Sequence, residues 1–121
     1  MAYTLQEVLK DEENALRLYF DDIADSTPLS REKEVELSAK IHAGDQDARD
    51  ELVQANLRFV IDVAKKYQNR GLSLSDLISA GNVGLMTAAM RFDGEKGFKF
   101  ISYAVWWIKQ SILQTIAEHA R

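Results

Sequence analysis

The sequence predicts an all-α protein, a compact bundle of about five helices joined by short turns, on three observations. Proline occurs once, at Pro28, and most glycines fall between periodic segments rather than inside them. Apolar residues recur at spacings of three and four, and no stretch sustains the alternation of a half-buried strand. A length of 121 residues with 46% hydrophobic content suits a single helical domain, 1–121, with a modest core of its own.

After a weakly periodic lead-in at 1–11, a first helix is expected over about 12–24. The second, 30–43, has Ser30 as N-cap and Glu32 in its first turn, with Gly44 closing it. The third, 46–69, places Val53, Leu57, Val60, Ile61 and Ala64 on one stripe and Leu52, Phe59 and Val63 on another. It should therefore be covered on two sides, with Gly71 as its C-cap after Lys65, Lys66 and Arg70. Ser73 and Asp76 form a capping box that opens the fourth, 73–91. Ala80, Gly81 and Gly84 on that helix permit a close approach, either by a partner or by another helix of the same chain. The fifth is expected over 99–119.

The net charge of −4 conceals an asymmetry. Residues 1–51 carry 14 acidic and 6 basic side chains, a net −8, and residues 52–121 carry 5 acidic and 9 basic, a net +4. The basic part can approach a polyanion, while the acidic part is expected to pack beside it and guard it. With no cysteine there is no disulfide framework and no thiolate zinc site, and His42 and His119 are isolated, so no metal site is expected. Neither a cofactor motif nor a catalytic constellation is present, and no enzyme is predicted. The apolar runs are too short to cross a bilayer and the first residues do not resemble a signal peptide, which points to a cytoplasmic protein without a membrane partner.

The stretch FKFISYAVWWIKQ, 98–110, holds five of the eleven aromatic residues. On a helical wheel Ile101, Val105, Ile108, Ile112 and Ile116 form one stripe, sufficient for a core face. Phe100, Tyr103, Trp107 and Gln110 form another, with Trp106 at its edge and Lys99 and Lys109 beside it. Flat rings flanked by cations suit unstacked bases, each worth about 1–3 kcal/mol of stacking. The glutamine amide can pair with a base edge. The competing reading is a structural or adaptor domain that buries the same rings between helices.

These residues also carry a resemblance. The segment ANLRFVIDVAKKYQNRGLSLSDLISAGNVGLMTAAMRFDGEKGFKFISYAVWWIKQSILQTIAEHAR closely resembles region 2 of sigma factors of the sigma-70 family, the promoter-recognition subunits of bacterial RNA polymerase. ALRLYFDDIADSTPLSREKEVELSAKI resembles the preceding region 1.2. On that likeness 12–43 corresponds to region 1.2 and 49–121 to region 2, without the large insert that some primary-type factors carry between them. The family continues past the position of Arg121, so a fragment is expected.

What the resemblance implies is a division of labour. Asp76, Asn82 and Met86 match residues of the helix that docks on the clamp coiled coil of the polymerase β′ subunit. Lys96, Phe98, Phe100, Tyr103 and Trp106 match the pocket that captures a flipped adenine of the minus-ten element on the single-stranded non-template strand. Trp106 and Trp107 match the upstream edge of the melted bubble, and Gln110 a residue that reads the first base pair. Glu34 and Asn56 match a second pocket, for a flipped thymine. Promoter DNA and core RNA polymerase are the implied partners, and an anti-sigma factor is a further one that the family allows. The chain departs from the commonest pattern at Phe59, Ile101, Leu113 and Gln114, where leucine, serine, threonine and arginine are frequent.

Overall fold

A computed structural model describes residues 29–119, so the helix expected over 12–24 lies outside the described residues. The described part is all-α. Its elements are α1 (Arg31–His42), α2 (Gln46–Ala55), α3 (Leu57–Lys65), α4 (Leu74–Arg91), a 3₁₀ turn (Gly94–Lys96) and α5 (Phe100–His119). No helix among them is long and apolar enough to cross a membrane.

Local chemistry starts most of these elements as the sequence suggests. The side chains of Ser30, Asp45 and Ser73 accept from the amides of Lys33, Ala48 and Asp76, each at 3.1 Å. Gly44 follows α1 in the left-handed region (φ 95°) and turns the chain into α2.

The helix expected over 46–69 is instead two. At Asn56 the backbone leaves the helical path (φ −118°, ψ 10°), and its amide N–H shifts from the Leu52 carbonyl to that of Val53 at 3.0 Å. The Asn56 side chain supplies what was lost, donating to the Leu52 carbonyl at 2.9 Å. The far end also closes earlier than expected. Lys66 and Tyr67 donate to Val63 and Ala64 in 3₁₀ fashion, so α3 stops at Lys65 and Gly71 is not its cap. Asn69 (φ 69°) and Gly71 (φ 96°) turn the loop that follows.

The core is a single cluster in which α4 packs along α5 and both rest on α3. The two helical glycines of α4 make this possible. A methyl group on Gly84 would sit on the Trp107 carbonyl and 2.8 Å from the Ile108 Cα, and one on Gly81 would lie 2.7 Å from a Val60 methyl. The glycines thus serve an internal contact, the second of the two roles their spacing allowed.

Candidate nucleic-acid interface

The functional geometry is built at the start of α5 and in the loop before it. Asp93 accepts from Glu95 N–H at 3.0 Å and opens the 3₁₀ turn, and Gly97 (φ 87°) reverses the chain in a conformation that L side chains disfavour. That reversal leaves Phe98 projecting, 42% exposed, and starts α5 at Phe100.

Side chains of a helix lean toward its N-terminus, so a ring in the first turn lies under the incoming loop rather than over its own helix. Phe100 is therefore buried completely, at 0% exposure, with its ring edge-on to the buried Phe92 at 5.1 Å. This corrects the expectation that Phe100 belongs to the free face. Lys109, expected beside that face, is likewise buried. The stripe Ile101, Ala104, Ile108 and Ile112 is the buried one, and Val105 and Ile116 are only partly covered.

What remains outside is an open depression of about 470 Å³ lined by Phe98, Ser102, Tyr103, Trp106 and Trp107. Phe98 and Tyr103 lie nearly parallel, 27° apart with centroids at 6.4 Å, and Trp106 stands perpendicular to Trp107 at 5.0 Å. Trp106 is 56% exposed. Beneath them Phe92 packs against Phe98 and Tyr103, so the rings have a rigid floor. Gln110 is exposed one turn beyond the tryptophans, and Lys96 is exposed at the end of the 3₁₀ turn.

Two residues of this surface were not singled out in the sequence. The guanidinium of Arg91, at the end of α4, lies 5.1 Å over the Trp107 ring. Its distance along the chain gave no local signal. Ser102 was legible in principle, since it sits four residues before Trp106 on the same helical face.

The remaining expected site residues divide in two. Glu34 is 2% exposed, its Oε1 accepting from the Phe100 N–H at 3.0 Å and its Oε2 lying 3.8 Å from Lys99 Nζ. Burial pushes its carboxyl above the usual range, while the Phe100 N–H and the Lys99 and Arg31 cations act in the opposite direction. Lys99 in turn donates to the Leu29 carbonyl at 2.6 Å. Asn56 is buried at the α2–α3 break. The structure thus gives Glu34, Asn56 and Lys99 internal bonds and leaves Lys96 and Gln110 to solvent.

On α4, Asp76 and Met86 are exposed, and Met86 extends an outward apolar stripe through Val83, 62% exposed, and Met90. Asn82 is half-buried, and its Oδ1 is buried without a hydrogen bond.

The described residues thus offer open rings, an amide and cations on one edge and an apolar helix stripe on another. Comparison with known proteins gives the family. The model of Sigma-70 region 2 matches residues 52–121 and that of Sigma-70 factor, region 1.2 matches residues 14–47. The chain belongs to the sigma-70 family. It is 46% identical over 109 residues to RNA polymerase sigma factor SigA of Clostridium acetobutylicum, covering 90% of this chain and 29% of that protein. It is 47% identical over 106 residues to RNA polymerase sigma factor SigA of a Bacillus species, covering 88% and 28%. The chain thus spans less than a third of the length of these curated relatives.

Proposed function

We propose that this module acts in transcription initiation, binding core RNA polymerase and melting the promoter minus-ten element by holding flipped bases of the non-template strand. The observation that carries the proposal is the open depression between Phe98, Tyr103, Trp106 and Trp107. Unstacking a base costs a few kcal/mol, and stacking it on such rings returns about 1–3 kcal/mol, so only a strand offering the right bases stays open.

Each residue then has a role. Phe98, Tyr103 and Trp106 hold the base, and Phe100 supports them from below. Trp106 and Trp107 stand at the upstream edge of the bubble, with Arg91 over the outer ring. Lys96 meets backbone phosphates, and the charge of Lys99 adds to the local field. Gln110 reads the first base pair. Glu34 and Asn56 line the implied second pocket, for a flipped thymine, while keeping the internal bonds they make to Phe100 and Leu52. On the other edge, Asp76, Asn82 and Met86 dock on the β′ clamp coiled coil, with the exposed Asp76 and Met86 making the outward contact and the half-buried Asn82 at its margin. The role calls for recognition rather than catalysis and is carried out in the cytoplasm.

The test is binding of a fluorescent single-stranded oligonucleotide carrying TATAAT, against scrambled controls, by the chain assembled with core polymerase. A preference of about tenfold or more is expected from one well-held base. Equal affinity for all sequences would remove the specific pocket.

A further inference from the structure

The amino terminus of α5 poses a local problem. The residue before its first turn is Lys99, whose side chain can only donate, so FKF provides no capping oxygen where a serine, threonine or aspartate would ordinarily stand. The first amides of a helix nevertheless need acceptors, and buried ones need them most. The oxygen comes from 66 residues away in the chain, where Glu34 on α1 accepts the Phe100 N–H at 3.0 Å. Its other carboxylate oxygen faces Lys99 Nζ. A carboxylate at this end of a helix also meets the positive pole of the helix dipole.

One turn further along α1, Ser38 holds the opposite end of the same loop. Its hydroxyl donates to the Phe92 carbonyl at 2.8 Å and accepts from the Gly94 N–H at 3.1 Å. Gly94 lies so close to α1 that a methyl group there would come within 2.8 Å of the Val35 Cα. The loop that presents Phe98 is therefore tied to α1 at both ends. Beyond it α5 runs as one uninterrupted helix through Tyr103, Trp106 and Trp107.

Resting on the proposed function, we infer that Glu34 is a positioning residue as well as a lining one: it caps α5 from α1 and thereby sets the aromatic depression. Oε1 holds the first amide of α5 and Oε2 faces Lys99, so removal of the carboxylate would leave that buried amide without its acceptor. Helix α1 thereby bears on base capture through a single buried carboxylate.

The proposal is tested with E34A, E34Q and S38A, each checked for native helix content by circular dichroism. The amide oxygen of E34Q can still accept the Phe100 N–H. Exchange of that amide and tryptophan emission, read on the free chain, test the cap without nucleic acid and so stand even if the proposed function fails. Exchange should speed up about tenfold in E34A and be restored in E34Q, in line with the usual cost of a lost cap. Unchanged exchange in E34A would overturn the cap. With core polymerase and TATAAT oligonucleotides replaced at each base in turn, E34A should weaken discrimination at the base held by Trp106, and E34Q should restore discrimination at that base. S38A should shift tryptophan emission and discrimination in the same direction by a smaller factor. If E34A instead alters preference at one downstream base alone, with tryptophan emission unmoved, the carboxylate does not set the aromatic depression and the inference is wrong.

Discussion

The middle of α5 and its first turn are held to the molecule by opposite kinds of contact. Along the middle, Gly81 and Gly84 let α4 close onto the Trp107 and Ile108 backbone, and Leu77, Leu85, Ile108 and Ile112 are fully buried around it. At the first turn and in the loop before it, polar ties come from α1 and the residues just ahead of it: Glu34, Ser38 and the carbonyl of Leu29. The apolar contact tolerates changes of pH and salt but no change of volume. The polar ties tolerate small changes of volume but depend on the state of one carboxylate. The volume-limited contact lies under the part of α5 that carries the tryptophans, and the ionisable tie lies where the loop that presents Phe98 enters the helix.

The sharpest way to break the contrast is Phe100→Ala, which empties the volume where the two kinds of contact meet. It should lower unfolding free energy by about 3–5 kcal/mol in urea denaturation and reduce oligonucleotide binding only as a consequence. Gly84→Ala should cost about 2–3 kcal/mol, because forcing α4 away from the Trp107 carbonyl outweighs the roughly 1 kcal/mol that alanine gains in a helix interior. Trp106→Ala should do the reverse of both. Its loss is about 1–3 kcal/mol of affinity for the TATAAT strand. Its unfolding free energy should stay within about 0.5 kcal/mol of the parent, since the ring stands mostly in solvent.

The smallest effect is the one that isolates the polar tie. The folded-state carboxyl of Glu34 titrates above its ordinary value of 4.5, so the folded state holds that proton more tightly than the unfolded chain does. Its contribution to stability is then fully present below pH 4.5 and is lost as the pH rises through the folded-state value. Relative to Glu34→Gln, the parent chain should accordingly be most stable in mild acid and lose that advantage toward neutral pH. A difference that stayed flat with pH would mean that Glu34 does not titrate in the folded state as its burial requires.

Much of this comparison could be read along the chain, and the unread part has a common character. The caps at Ser30 and Ser73 and the turn at Gly44 depend on neighbours three or four residues away, and sequence spacing displays them. The split at Asn56 was hidden because asparagine occurs inside helices as well as at their ends, and only the backbone angles and the shifted amide bond show that the chain has left the helix there. For the aromatic face, periodicity separated Tyr103 and Trp107 from the isoleucine stripe correctly. It misplaced Phe100, since a wheel ignores what lies beyond the first turn, and Lys109, since it ignores the neighbouring helices.

By itself, then, the sequence determined the helical class, the positions of most helix starts, the family, and the segment that carries the rings. Only the tertiary structure decided which rings face outward, that Arg91 covers Trp107, that the α4 glycines face inward, and that a carboxylate on α1 caps α5. The physical reason is range. Caps and amphipathic stripes are set by backbone geometry within a turn or two, whereas burial and a cap supplied from 66 residues away exist only once distant helices have closed on one another.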